Sequence, residues 1–351
     1  MNTLIVPCCG RSRRFPEMKP KWLLTHPDGQ LMIQKALAGL NTEIFSRIII
    51  TITREHANLF DAELILQQAF CGHLEVEVFI LDDFTRDAST TVYRTLIGKN
   101  VIGPFTVKDS DNCVHVTLPA EGRNLVTGYD LYQHPDISNI PGKSFIVAGE
   151  QGILQDIVEK KVVSNIVCLG VYSFSSAALF TAAYLSLAEQ RVSGEIFVSH
   201  IISYILASGA GLFEVNMARN YDDWGTIVEW RAMQEKCQAY FVDLDGVLLK
   251  NSGLYGKVNW SNTQEILQDN VDRLRALQKD GAQLVITTAR PERFRAGLAQ
   301  LCTDLGLHVH AFVMGLNHAP RTIVNDFAPT NPYPSCRSVS VPRDGSIAGY
   351  L

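Results

Sequence analysis

The sequence predicts an α/β protein of two domains, each built on a mainly parallel sheet flanked by helices. Three observations carry this expectation. Short β-rich runs alternate with helix-compatible runs along most of the chain, the order that βαβ units produce. The alternation restarts near residue 235, where a helical stretch ends and the apolar run "AYFV" (239–242) begins. A chain of 351 residues is also long for one domain, given a prior of roughly 150 residues each. The expected domains are residues 1–234 and 235–351.

Taken in order, "TLIVP" (3–7), "RIIITIT" (47–53) and "LEVEVFIL" (74–81) read as strands, with helical segments at 30–40 and 55–70. Further strands follow at "GPFTVKDS" (103–110), "CVHVTL" (113–118), "KSFIVAG" (143–149) and "NIVCLGVYSF" (165–174), then a helix at 175–190. In the second half, strand 239–243 leads to a helix stopped by Gly281. The buried strand "LVITTAR" (284–290) and the apolar strand "RTIVNDF" (321–327) come after it. His308 and His310 alternate on another short strand, and Trp22, Trp224 and Trp230 read as packing residues. Glu195 suits either a ligand contact or a helix start. The two prolines of "NPYPSC" (331–336) suit a rigid turn, or a segment closing over a site.

Composition narrows the function. Lys and Arg number 31 against 36 Asp and Glu, a net charge of −5, so no basic excess exists to track a nucleic-acid backbone. An anionic substrate must be held by local groups. No apolar run approaches the 18 or so residues of a membrane span, and "MNTLIVPCCG" lacks a basic leader, so a cytoplasmic protein is expected. The eight cysteines include no CxxC pair and read as reduced, mostly buried thiols, not as a zinc site or disulfide frame.

Chemistry concentrates at two places. In "AYFVDLDGVLLK" (239–250), Asp243 and Asp245 stand at a strand end with side chains on the same side, and Gly246 permits a tight turn. One carboxylate is placed to attack phosphorus and the other to move a proton. An EF-hand is excluded, because its Gly and Glu positions hold Leu248 and Leu254. With Thr287-Thr288 ending one downstream strand and Asn325-Asp326 another, this half resembles the haloacid-dehalogenase (HAD) phosphohydrolases. The resemblance implies an HAD-like Rossmannoid fold with a minimal cap. Asp243 would be the nucleophile that becomes aspartyl-phosphate, Asp245 the general acid/base and Thr288 the second-motif hydroxyl. Arg321 is the candidate phosphate ligand, and Asp326 would join Asp243 and Asp245 in holding Mg²⁺.

At the other end, "VPCCGRSRRFPEMKPKWLL" (6–24) puts Arg11, Arg13, Arg14, Lys19 and Lys21 into one loop of a net-acidic protein. With one glycine it is not a dinucleotide fingerprint, but a basic loop with free backbone N–H groups suits a triphosphate. Gly10, Arg14-Phe15 and Pro20-Lys21 resemble, in order, the signature of sugar-phosphate nucleotidylyltransferases, with Ser12 where that family usually has a second glycine. "VKDSDN" (107–112) and "YDDWGT" (221–226) resemble its two metal-binding elements, implying Asp111, beside Asp109, and Asp223 as Mg²⁺ ligands. "VEKKVVSN" (158–165) is similar to its sugar-phosphate segment, implicating Glu159 and Lys160. By position, "FTRDASTTVY" (84–93) borders the base. The resemblance implies a nucleotidyltransferase Rossmann-like fold, with Arg14 and Lys21 neutralising the departing pyrophosphate.

Together the resemblances imply a bifunctional, Mg²⁺-dependent enzyme of sugar-nucleotide or capsular polysaccharide precursor synthesis. Its partners would be an NTP and a phosphorylated sugar or polyol, without nucleic acid or membrane insertion, and homo-oligomerisation is compatible with it. The alternative is a phosphatase with a non-catalytic, nucleotide-binding regulatory first domain.

Overall fold

The computed structural model of the chain describes residues 2–72, 76–133, 137, 139–190, 194–251, 265–326 and 335–351. The start of the expected strand at 74–81 and most of the turn at 331–336 lie outside the described residues. Contacts divide the chain into two compact units, Met1–Trp230 and Arg231–Leu351. This division falls a few residues ahead of the 234/235 boundary read from the pattern. Trp230 belongs with the first unit because it is buried against Trp224, with ring centroids 6.3 Å apart.

The first unit begins with β1 (Thr3–Pro7), α1 (Met32–Ala38), β2 (Arg47–Thr53), α2 (Arg54–Phe60), α3 (Ala62–Ala69) and β3 (Val76–Leu81). Next come α4 (Ala88–Gly98), β4 (Phe105–Lys108), β5 (Asn112–His115), β6 (Leu125–Asp130), β7 (Phe145–Ala148), β8 (Leu154–Val158) and β9 (Ile166–Phe174). It closes with α5 (Ala177–Gln190), α6 (Val198–Ala207), β10 (Glu214–Met217), β11 (Asn220–Asp223) and α7 (Ile227–Lys236), the helix within which the division falls.

Strand order in the main sheet is β10-β6-β9-β4-β1-β2-β3, with the β7–β8 hairpin attached to β9. From β4 to β3 the pairing is parallel, while β9 runs antiparallel to both β4 and β6. Strand alternation builds three layers. Leu4, Val6, Ile48 and Ile50 face one core with Trp22 and Leu66, whereas Ile5 and Ile49 face the other with Val92, Phe180 and Ile201. Neighbours in the sequence therefore go to opposite faces, each covered by helices.

Local capping fixes helix starts. The Thr53 hydroxyl accepts from His56 N–H at 3.2 Å to begin α2, and Asp87 accepts from Thr90 N–H at 2.7 Å to begin α4. The single helix read over 55–70 is two helices, because Asp61 takes a left-handed conformation (φ 48°) between them. Register between β1 and β4 runs from Thr3↔Phe105 to Ile5↔Val107. The loops after Pro7 and after Lys108 consequently leave from the same sheet edge. A second ladder, β5 with β11, pairs Asn112 with Asp223.

In the second unit, β12 (Ala239–Asp243), α8 (Gln268–Lys279), β13 (Gln283–Thr287), α9 (Arg295–Asp304) and β14 (Val309–Val313) form a parallel sheet of order β12-β13-β14 with two helices. Val242, Leu284, Ile286, Val271, Leu274 and Leu298 make its core. Gly281 (φ +111°) lets the chain turn out of α8, a conformation a side chain would oppose. Buried Asn270 anchors the C-terminal segment by donating to Gly345 O at 2.9 Å and accepting from Ile347 N–H at 2.9 Å.

One expectation is corrected here. Residues 321–326 form no strand; they run exposed, with Val324 91% accessible, and pair with no strand of the β12–β14 sheet. Apolar composition suits a strand, but among the described residues no ladder partner satisfies this segment's backbone, and its apolar side chains face solvent.

Candidate active sites

The loop after β1 is open and short of hydrogen-bond acceptors. Backbone N–H groups of Gly10, Arg11, Ser12, Arg13 and Arg14 have no partner among the described residues. A Cβ on Gly10 would meet nothing within 4 Å, so the space beside it is free. Ser12 adopts a left-handed backbone (φ 46°), the conformation glycine tolerates best, and its hydroxyl accepts from Lys21 N–H at 3.3 Å. The loop thus keeps its turn with serine in that place. Thr85 N–H donates to Cys9 O at 3.3 Å, and the Arg11 guanidinium lies 4.3 Å from the centre of the Phe84 ring. Both contacts bring residues 84–85 to the loop's edge.

Asp111 sits where the loop meets the turn after β4. It is buried, its Oδ2 ion-paired with Lys21 Nζ and 3.5 Å from Arg14 Nη2. Burial alone would raise its pKa, but Lys21 and Arg14 hold the carboxyl well below the usual range. Asp223 arrives through the β5–β11 ladder, its Oδ2 paired with Lys143 Nζ and its Oδ1 accepting from Gly225 N–H at 3.0 Å. A Cβ added to Gly225 would stand 3.2 Å from Asp223 Oδ1, 3.3 Å from Asp111 Oδ2 and 3.4 Å from Arg14 Nη1. Two carboxylates and a guanidinium therefore surround one point.

The turn is held from behind by Lys108, fully buried, whose Nζ donates to Asp109 O at 2.6 Å, Asn112 O at 2.9 Å and Asn112 Oδ1 at 2.6 Å. Burial lowers its pKa to about 8, which leaves it charged at neutral pH with three acceptors to hold. Asp109 faces Gly170, where an added Cβ would lie 2.2 Å from its Oδ2; burial, then the Asp111 charge, raises its pKa to about 6. It is a packing carboxyl, turned toward the sheet.

Glu159 accepts hydroxyl hydrogen bonds from Ser144 and, at 2.7 Å, from Ser199. Exposed Lys160 takes a left-handed backbone (φ 53°), with its Nζ 4.2 Å from the centre of the Phe197 ring. Lys160 N–H donates to Lys143 O at 3.1 Å, placing the sugar-phosphate candidate beside the lysine that pairs with Asp223. Lys143 and Lys108 were not singled out in the sequence. Glu195 lies ahead of the α6 start, whose N-cap is Phe197. Trp22, Trp224 and Trp230 are buried packing residues.

The Asp111 and Asp223 oxygens are hard donors suited to Mg²⁺, which takes one or two carboxylates plus water and phosphate oxygens. The two lysine ammonium groups now at these carboxylates mark the same demand for positive charge. The residues fit a divalent cation.

In the second unit, Asp243 pairs in register with Thr287 at the carboxyl ends of β12 and β13. Asp243 Oδ1 lies 3.2 Å from Arg321 Nη1; burial raises the carboxyl's pKa, an effect the Arg321 charge opposes. Asp245 is held by both oxygens, from Arg290 Nε at 3.1 Å and Nη2 at 2.6 Å, and Arg290 is buried. Thr288 is buried, its hydroxyl accepting from Arg290 N–H at 3.1 Å. Gly246 has the positive φ (+97°) its turn requires. Asp326 lies on the exposed, unpaired segment 321–326. Asp243, Asp245 and Asp326 do not converge as a metal-ligand group. As arranged, they do not fit the expected Mg²⁺ set.

The chain's fold is that of sugar nucleotidyltransferases over its N-terminal two thirds. Vibrio cholerae nucleoside-diphosphate-sugar pyrophosphorylase matches with a TM-score of 0.54 at 16% identity, over 65% of this chain and 98% of that one. Inositol-1-phosphate CTP transferase from T. maritima gives 0.51 at 12%, over 65% and 90%. A UDP-glucose pyrophosphorylase complexed with UDP-glucose gives 0.50 at 14%, over 67% and 99%. At these identities the likeness is one of fold. No protein-family model matches the sequence, and no curated protein does so significantly.

Proposed function

We propose that the first unit transfers a nucleotidyl group from an NTP to a phosphorylated sugar or polyol, releasing pyrophosphate. The observation that carries this reading is the meeting of Asp111, Asp223 and Arg14 at Gly225, beside a basic loop whose N–H groups have no partner among the described residues. The reaction is an in-line attack by an acceptor phosphate oxygen on the α-phosphorus. Both reactants are anionic, so their repulsion must be cancelled first. The N–H groups from Gly10 to Arg14 suit the β- and γ-phosphates. Arg14 and Lys21 then neutralise the departing pyrophosphate, Lys21 leaving Asp111 to do so. Mg²⁺ held by Asp111 and Asp223 would supply charge neutralisation at the reacting phosphate. Lys160 binds the acceptor's phosphate, and Glu159, held by Ser144 and Ser199, orients its hydroxyls. The fold neighbours, named for sugar-nucleotide and inositol-phosphate chemistry, support this acceptor class.

For the second unit we propose phosphate-monoester hydrolysis with Asp243 as nucleophile, supported by its place at a strand end beside Thr287 and Arg321. The Asp245–Arg290 pair must open before Asp245 moves a proton. Paired in one cytoplasmic chain, the two activities suit the supply of surface or capsular polysaccharide precursors. The test is a matrix of four NTPs against sugar 1-phosphates and polyol phosphates, with pyrophosphate and inorganic phosphate read separately. Pyrophosphate release with at least one pair, stopped by EDTA and restored by Mg²⁺, is expected. No productive pair would favour a nucleotide-binding regulator.

A further inference from the structure

On the face of the β5–β11 ladder opposite Asp223, three side chains of different chemistry meet. Cys113 and His115 alternate along β5 and so share a face, and Asp222 is the register partner of Cys113 across the ladder. Their donor atoms lie mutually within 4.8 Å, the one such group among the described residues. Cys113 is buried, while His115 and Asp222 are open to solvent. Cys113 Sγ and His115 Nε2 stand 3.6 Å apart. A tetrahedral zinc ion, with bonds of about 2.3 Å to sulfur and about 2.0–2.1 Å to nitrogen, sets those two ligands about 3.6 Å apart.

We propose that Cys113, His115 and Asp222 form a site for a thiophilic divalent cation, Zn²⁺ above all, distinct from the Asp111–Asp223 pair. The donor set is the reason: thiolate and imidazole select Zn²⁺ over Mg²⁺, while two carboxylates do the reverse. Binding replaces the thiol proton with a sulfur–metal bond and releases that proton to solvent. A water completes the coordination. Asn112 and Asp223 pair at the end of this same ladder, so an ion here would pin together the strand following Asp111 and the strand carrying Asp223.

Cobalt(II) is the probe, since only a thiolate ligand gives it an intense near-ultraviolet charge-transfer band. Titrating the full chain, without a polyhistidine tag, should develop that band at one equivalent. Zn²⁺ should bleach it and millimolar Mg²⁺ should not. Cys113→Ala should abolish the band. Because Cys113 is buried, His115→Ala and Asp222→Asn, at exposed positions, are the second variants. Each should weaken Co²⁺ binding about tenfold or more with the fold intact by circular dichroism. Absence of a thiolate band in the folded wild-type chain would overturn the proposal. So would a band that survives Cys113→Ala, or unchanged affinity in both exposed-site variants.

Discussion

Asp111 Oδ2 and Asp223 Oδ1 both lie within 3.3 Å of the point where a side chain on Gly225 would begin, although they stand 112 positions apart in the sequence (111 and 223). The β5–β11 ladder makes that meeting, and each carboxylate holds a lysine, Lys21 or Lys143. Like charges are brought together only where cations compensate them, and here the cations come from the protein itself.

Gly225→Ala tests the space between them. Gly225 has no positive φ, so alanine brings no backbone strain, only a methyl pressed against Asp223, Asp111 and Arg14. Pyrophosphate release should fall about 10- to 100-fold, as misplacement near one ångström does, with little change in unfolding temperature. A wild-type rate would show that the gap is not used.

Lys160 is exposed, with its ammonium group against the Phe197 ring, and pairs with neither Asp111 nor Asp223 among the described residues. Lys160→Ala should raise KM for the phosphorylated acceptor about tenfold while kcat stays near wild type. A fall in kcat at unchanged KM would move Lys160 from acceptor binding to the chemical step.

In the second unit, Asp245 and Asp243 should separate by stability. Asp245→Ala takes the paired carboxylate from an arginine side chain that is 2% exposed, a loss of about 3 kcal/mol at the low end for such pairs. Amide exchange over β13 should accelerate accordingly. Asp243→Asn, at a carboxylate 38% exposed, should leave that exchange unchanged. Equal acceleration in both variants would contradict a stabilising contribution from the Asp245–Arg290 pair.

Much of the first site was legible in the sequence, because the basic loop and the "VKDSDN" turn are contiguous stretches whose side chains act locally. Lys143 was not legible. Its partner Asp223 is reached only through a hairpin and a ladder, and a lone lysine before an apolar strand carries no spacing signal. The Cys113, His115 and Asp222 group was hidden likewise, since its third member joins by register and not by sequence distance. The reverse failure occurred at 321–326. An apolar run there promised a strand, but a strand exists only where a neighbour completes its hydrogen bonds, and among the described residues none does. Arg290 ends "LVITTAR", and spacing carries no sign of its role, because its partner Asp245 stands 45 residues earlier.

The most direct measurement of the central claim is pyrophosphate release by Asp111→Asn and by Asp243→Asn, under the NTP and acceptor pair that the wild-type chain turns over. Asp111→Asn removes a charge from the point where Asp111, Asp223 and Arg14 meet. It should cost about 3 kcal/mol of transition-state stabilisation, on the order of 10²–10³ in rate, and spare phosphate release. Asp243→Asn should do the reverse, abolishing phosphate release and leaving pyrophosphate release within a few-fold. Near wild-type pyrophosphate release from Asp111→Asn would contradict the account.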